Sequence, residues 1–518
     1  MIENTTPYPP LSELSEAQLL QAHDYTRQQI IGETELTRAA LARNDDPRNL
    51  ADTFTHETLD AIEAAGLREA TLPAQPWAGH FVTTGTAAGL LGCRYLDRNT
   101  DQEWSKHFTY IRNHPAKVIL QGGLENWIAE LAPAEKYDAL VGDAEQTLTK
   151  RMWAKGQAAF DQYGEVPAWF GICHGWAPAA FMLPRPQHAL TLAAPDGTPI
   201  TFHPADMKAL ASLLWANAAP RVRFVGGRCN IEPPYETDPA TGRVARLFNP
   251  FIAATSPPLD PAEFPDAEPP GWVEVTLGEY QWNEETGEST LSGGRIIAAE
   301  CTDTNPATWH LALVNQLGVS QRSMVMDASF NNEVWNQPLY AYQYTYFNPQ
   351  TLVQTDDLTA ASVAMADFSD DIFTSYRAPQ AASVVGVIMR VTYVVEPFEN
   401  EPESHVPEWA TESDDLEVIR RELQLSTQDY YYDLELDAAG KVIGGEWYTR
   451  DHPDFLWTPP AGSRAVTRHE AAATGEWDST QPLPESWHVA AQAAAREGTP
   501  LATLVESMIA AANAQVMG

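Results

Sequence analysis

Lysine is scarce in this chain, with seven in 518 residues, and the whole basic complement is 32 residues against 70 acidic ones, a formal charge of -38. Such a surface repels nucleic-acid phosphates and anionic lipid headgroups, so neither nucleic acid nor a membrane is an expected partner. Cysteine is scarce too: Cys93, Cys173, Cys229 and Cys301 are far apart with no CxxC pair. That spacing excludes a zinc ribbon and a dense disulfide framework and leaves room for two bridges at most. No run of 18 apolar residues occurs, and the first residues, MIENTTPYPPLSELSEAQ, contain neither a basic n-region nor an apolar h-region. The expectation for the chain as given is a soluble protein without an export signal.

What is present is length and aromatic bulk. At 518 residues the chain has the size of two or three domains, or of one large enzyme with insertions. Hydrophobic residues make up 44%, with 16 Trp, 18 Tyr and 17 Phe, enough to bury an extensive core. Apolar positions three and four apart predict helices within 11–70, in LSEAQLLQAHDYTRQQII and TFTHETLDAIEAAGL, the second capped by Thr53 or Thr55. ENWIAELAPAEKYDALVGDAEQTLTKRMWAKGQAAF also reads as helical. From about residue 165 short aromatic strands take over. They include a hairpin on Asp196-Gly197, two runs in WHLALVNQLGVSQRSMVMDASF, and VVGVIMRVTYVVE and YYYDLELDAAGKVIGGEWY. The fold class is α+β with an antiparallel sheet. Its expected organisation is a mostly helical covering or pro-like region over 1–150, a catalytic α+β domain over 151–460 and a helical extension over 461–518. The Pro- and acid-rich stretches 256–270 and 396–415 read as long surface loops.

Cys173 stands in PAWFGICHGWAPAAFML, after Gly171 and before a small and apolar stretch suited to a buried helix. A thiol at a helix N-terminus is favoured as thiolate by the dipole and by backbone N–H groups that also suit an oxyanion hole. The alternative is an inert buried thiol. Pro178 conflicts with a simple helix, because it lacks an N–H about one turn in, so the helix either starts later or kinks.

If WHLALVNQLGVSQRSMVMD is a hairpin turning at Gly318-Val319, His310 lies opposite Asp327, with Cβ atoms roughly 4.5–5.5 Å apart. A turn at Asn315-Gln316 or Ser320-Gln321 shifts that register, and a one-residue slip separates the two. In the first register His310 is a general base oriented by Asp327, completing a Cys-His-Asp triad. His203 and Asp206, in FHPADMKAL, read more simply as a strand end and a helix start, with Asp206 as alternative acidic partner. His174 points away from its neighbour Cys173 in either a helix or a strand. Trp169, Trp176 and Trp335 are the aromatic residues expected to line a substrate site. The pairs Asp370-Asp371 and Asp414-Asp415 lack the spacing of a calcium loop and read as solvated faces.

GICHGWAPAA, GGRCN (Gly226 to Asn230), WHLALVNQLG, VWNQP (Val334 to Pro338) and IGGEWYTRDHPDFLW, in this order from about Pro76 to Trp457, resemble the elicitor-type transglutaminases of oomycete plant pathogens and their marine bacterial relatives. The resemblance implies a papain- or transglutaminase-like cysteine acyltransferase core. Its activity is protein-glutamine γ-glutamyl transfer: a glutamine side chain forms a thioester on Cys173, ammonia leaves, and a lysine or other primary amine takes the acyl group. It also implies a secreted or cell-surface location, and raises calcium as a possible cofactor, since calcium dependence accompanies some members. In that family VWNQP belongs to a surface segment sensed by plants. Here it runs on as Leu339-Tyr340-Ala341, where the family usually has a basic residue and glycine.

The triad alone does not separate a transferase from a papain-like peptidase or a glutamine deamidase, because water resolves a thioester as readily as an amine does. A second alternative, from another class, is a non-catalytic surface or cell-wall binding protein using the aromatic residues and acidic loops.

Overall fold

The computed structural model describes residues 45–79, 92, 94, 104–123, 125–164, 166, 171–227, 304–328, 334–369, 371, 373–374, 376–395, 425–448 and 452–514, with the backbone of short strands at 243–248, 272–276, 282–283 and 288–289. Trp169, Cys93, Cys229, Cys301, Asp370, Asp414-Asp415, both Pro-rich stretches and the helix expected from LSEAQLLQAHDYTRQQII lie outside the described residues.

Along the chain, helix α1 (Leu59–Ala64) is capped by Thr58, whose hydroxyl accepts from the Ala61 N–H at 3.2 Å. Thr53 and Thr55, expected as caps, instead donate backbone N–H groups to Ser320 Oγ and Asn315 Oδ1. Strand β1 (Glu69–Thr71) follows, then α2 (Trp104–Asn113), α3 (Pro133–Leu140) with Pro in its first turn, and α4 (Thr147–Tyr163), closed by Gly164 at φ 80. Next come α5 (Cys173–Met182), the hairpin β2 (Leu190–Ala193) and β3 (Pro199–Phe202), α6 (Pro204–Ala218) and β4 (Arg223–Gly226). The hairpin turns as expected: Gly197 takes φ 86 and Asp196 Oδ1 accepts from the Thr198 N–H at 2.9 Å.

Helix α7 (Pro306–Leu313) continues into a π-helical turn, Val314–Val319, before β5 (Val325–Asp327) and β6 (Asn336–Phe347). The expected hairpin at Gly318-Val319 is therefore not formed. His310 lies in the middle of α7, and Asp327 pairs with Asn336 on β6 instead. Asn305 explains the helix: its Oδ1 accepts from the Ala307 N–H at 2.9 Å and Pro306 occupies the first turn, an N-cap followed by proline.

The remaining strands are β7 (Ser383–Val394), β8 (Leu425–Leu436), β9 (Val442–Gly444) and β10 (Phe455–Thr458), followed by helices α8 (Glu485–Arg496) and α9 (Ala502–Ala514). The main sheet runs β9-β8-β7-β6-β5-β10-β4, and every pairing in it is antiparallel. The architecture is α+β.

This sheet divides two cores. One face carries Val325, Phe455 and Trp457 and packs with α3, α5, α6, α8 and α9; it takes in Tyr137, Trp176, Leu213, Trp487 and Leu504. All three segments that the sequence divides at 150 and 460 thus feed one core. The other face carries Met326, Leu339 and Leu456 and packs against α7, with Trp309, Leu313, Tyr344 and Tyr432. Alternation along β5 and β10 sends neighbouring residues to opposite sides.

Candidate active site

Cys173 is the first residue of α5, and Ile172 is its N-cap. The Ile172 carbonyl accepts from the N–H groups of Gly175 at 2.8 Å and Trp176 at 3.0 Å, so the helix is formed from its first turn. The expected conflict with Pro178 is met inside the helix: Pro178 is its sixth residue and provides no N–H to the His174 carbonyl. Gly175 lets α5 close on α6, since a Cβ there would stand 2.2 Å from the Ser212 carbonyl oxygen. This contact brings the first turn of α5, which begins with Cys173, close against α6.

The thiol is in no disulfide and is partly exposed. Its Sγ lies 3.7 Å from the Val334 carbonyl oxygen, to which the S–H donates, and 3.4 Å from Asn336 Nδ2, which donates to it. Asn336 is fully buried, and its Oδ1 accepts from Trp457 Nε1 at 2.7 Å. Asp327, also fully buried, is directly opposite Asn336 in the β5–β6 ladder, so the two side chains leave the sheet on the same face. Asp327 Oδ1 accepts from the Trp335 N–H at 2.8 Å, and the Trp335 carbonyl accepts from the Ala328 N–H at 2.9 Å. These bonds fix the start of β6 against Cys173. The helix N-terminus adds the positive end of a ten-residue dipole at the sulfur.

His310 is not part of this constellation. It sits on α7, behind the opposite face of the sheet, with its ring centroid 4.7 Å from that of Tyr344 and Nδ1 2.9 Å from Tyr432 Oη. Burial pushes its pKa down to about 3, so the imidazole is neutral and serves the aromatic core. The expected base oriented by Asp327 is corrected by this placement, while Asp327 itself is brought to the sulfur's side.

Asp206, the alternative acidic partner, is committed elsewhere. Its Oδ2 accepts from Lys136 Nζ at 2.6 Å and from the His203 N–H at 2.7 Å, which makes it half of a capping box on α6 and of a fully buried ion pair. Burial pushes the pKa of Lys136 down while Asp206 pushes it up, and burial lowers His203 to about 4. Trp176 does not line an accessible wall, because it is fully buried and donates Nε1–H to the Trp77 carbonyl at 3.3 Å. Trp335 is half-buried, beside Val334. The VWNQP motif, expected at the surface, has Asn336, Gln337 and Pro338 buried, and its Val334 and Asn336 meet the sulfur. Asp371 is no solvated face either, since its carboxylate holds Arg377 at 3.0 Å within a group containing Asp433.

Sequence reasoning missed Asn336. The available signal was a polar pair, Asn336-Gln337, opening an otherwise aromatic strand, NQPLYAYQYTYF, within a motif of the resembled family. Among the described residues, no group of three or more His, Cys, Asp or Glu side chains is placed to hold a metal ion, and no helix is long and apolar enough to cross a membrane.

A partly exposed thiol at a helix N-terminus, faced by an amide and with a carboxylate directly across the ladder from that amide, is an arrangement able to carry an acyl group. The chain belongs to the transglutaminase elicitor family, whose model matches residues 126–247 and 273–472, a span that contains Cys173, Asp327, Asn336 and Trp457. Among solved structures it is similar to the crystal structure of the GP42 transglutaminase from Phytophthora sojae, at 20% identity and a TM-score of 0.44, covering 82% of this chain and 93% of that one. No curated protein matches the chain.

Proposed function

We propose that the protein is a protein-glutamine γ-glutamyltransferase with Cys173 as nucleophile. The observation that carries the reading is the placement of a partly exposed thiol, in no disulfide, at the N-terminus of α5 against Asn336, in a chain of the transglutaminase elicitor family. In the first step Cys173 Sγ bonds to the side-chain carbonyl carbon of a substrate glutamine, the C–N bond breaks, and the nitrogen leaves as ammonia with the thiol proton. In the second a lysine amine attacks the thioester carbon, the C–S bond breaks, and the amine's proton returns to sulfur as an isopeptide bond forms. Asp327 is the acidic partner, a carboxylate on the sulfur's side of the sheet that accepts a proton or holds one in transit. Half-buried Trp335, beside the same strand end, screens the thioester and favours the amine over water. Protein glutamine and lysine side chains are the substrates, and a secreted or cell-surface location goes with this reading.

The test is incubation with casein and a fluorescent primary amine, with and without iodoacetamide. Amine incorporation that iodoacetamide blocks is expected. Ammonia release without incorporation identifies a deamidase. The absence of both, with a Cys173 that resists alkylation in the folded protein, leaves a binding protein.

A further inference from the structure

We infer that Asn336 is a catalytic residue, donating its side-chain N–H to the Cys173 thiolate, and that Trp457 is the positioning residue that keeps the amide turned that way. The inference rests on the reading of Cys173 as nucleophile and adds a source for its reactivity.

The orientation of the amide follows from chemistry. An indole N–H can only donate, so the side-chain atom 2.7 Å from Trp457 Nε1 must be the carbonyl oxygen of Asn336. That leaves the NH2 group pointing at Sγ, 3.4 Å away. Both residues are buried, Asn336 at 0% and Trp457 at 1% exposure, so water does not compete for either bond. An amide turned the other way would set an acceptor against the sulfur and leave a buried indole N–H facing a donor, losing two bonds at once.

Val334 and Asn336, which both touch the sulfur, favour different protonation states. The Val334 carbonyl, 3.7 Å away, can only accept, so it holds the neutral thiol through its proton and repels the anion. The Asn336 N–H donates to either form, and more strongly to the anion. With the N-terminus of α5 on the same side, Asn336 therefore tips the balance toward thiolate.

The experiment is the rate of Cys173 alkylation by iodoacetamide, followed from about pH 5 to pH 9 on the full-length protein and on two variants whose fold is checked by circular dichroism. Asn336→Asp keeps the oxygen that Trp457 needs and replaces the donor with an anion. Trp457→Phe keeps an aromatic side chain, removes the indole N–H and frees the amide to turn. Asn336→Asp should raise the pH of half-maximal alkylation by about one unit or more, and Trp457→Phe should raise it by less. Should Asn336→Asp not fold, Trp457→Phe carries the test alone. An unmoved midpoint in a folded variant overturns the inference, even if the rate falls in parallel at every pH, because that pattern belongs to altered packing. The readout needs no acyl transfer, so the two readings fail separately. A wild type that incorporates no amine, with midpoints that shift, refutes the transferase and keeps the Asn336–sulfur contact; an active wild type with fixed midpoints refutes only the contact's role.

Discussion

Asp327 and Asn336 face each other across two strands, and each holds a different part of the same small structure. Asn336 reaches the Cys173 sulfur, while Asp327 accepts the N–H of Trp335, the residue just before Asn336. The carboxylate thus has a structural duty and a chemical one, and they can be separated. Asp327→Asn keeps an oxygen for the Trp335 N–H and removes the charge; Asp327→Ala removes both. Amine incorporation should fall by at least an order of magnitude in both variants. Only Asp327→Ala should also lose about 1–3 kcal/mol of stability in urea unfolding, the cost of a buried N–H left without its acceptor. Equal stability of the two variants would show that the Trp335 bond does not hold the strand end.

Cys173→Ala should abolish amine incorporation while leaving the protein folded, at a stability cost of no more than about 1–3 kcal/mol, that of the buried Asn336 N–H losing the sulfur. Retention of near wild-type rate in a folded variant would remove Cys173 from the chemistry.

The regular parts of the fold were legible where one face of an element meets water. The β2–β3 hairpin carries its turn residues at Asp196-Gly197, and its buried and exposed positions alternate along Leu190–Ala193. Strands β7 and β8 announce themselves by length and β-branched or aromatic content. Helix α7 was not legible by period, because every residue from Pro306 to Leu313 is buried and no polar face interrupts the apolar run. Its only local mark is the Asn305-Pro306 start, and without it the segment reads as strand. The same error placed His310 opposite Asp327. Asn336 and Asp371 show a second limit: a polar side chain is expected in solvent until its partner is known, and those partners, Cys173 and Trp457 for one and Arg377 with Asp433 beyond it for the other, are set by tertiary packing.

His310 makes a prediction about acid. Burial holds its pKa at about 3 in the folded protein, below the ordinary value of 6.5. Between these two values the unfolded chain binds a proton that the native state refuses. The contribution is therefore complete above pH 6.5 and is lost as the pH falls toward 3. At pH 5 the loss amounts to about 2 kcal/mol. Other groups titrate in the same range, so the measurement is a difference: urea midpoints of wild type and His310→Gln at pH 7 and pH 5. The variant should be less stable at pH 7, because it loses the Tyr432 contact, and should lose less than wild type on going to pH 5. Parallel losses would mean that His310 is protonated in the native state.

The last prediction concerns the packing that positions the sulfur. A Cβ at Gly175 would lie 2.2 Å from the Ser212 carbonyl oxygen and 2.6 Å from both the Ala216 Cβ and its backbone nitrogen, and two of these three atoms belong to the backbone of α6, where no side-chain rotation relieves the clash. Gly175→Ala must therefore push α5 away from α6, at a cost of about 1–3 kcal/mol. Because Cys173 is two residues earlier on the same helix, the displacement should also lengthen its distance to Asn336. Reduced stability should accordingly be accompanied by slower amine incorporation in the protein that remains folded and by a higher midpoint pH for alkylation. Ala216→Gly in the same chain removes one of the obstructing atoms, so the double variant should recover part of the activity. If Gly175→Ala folds and reacts as the wild type does, α5 is not held against α6 by this contact and the position of the sulfur must be set from the sheet side alone.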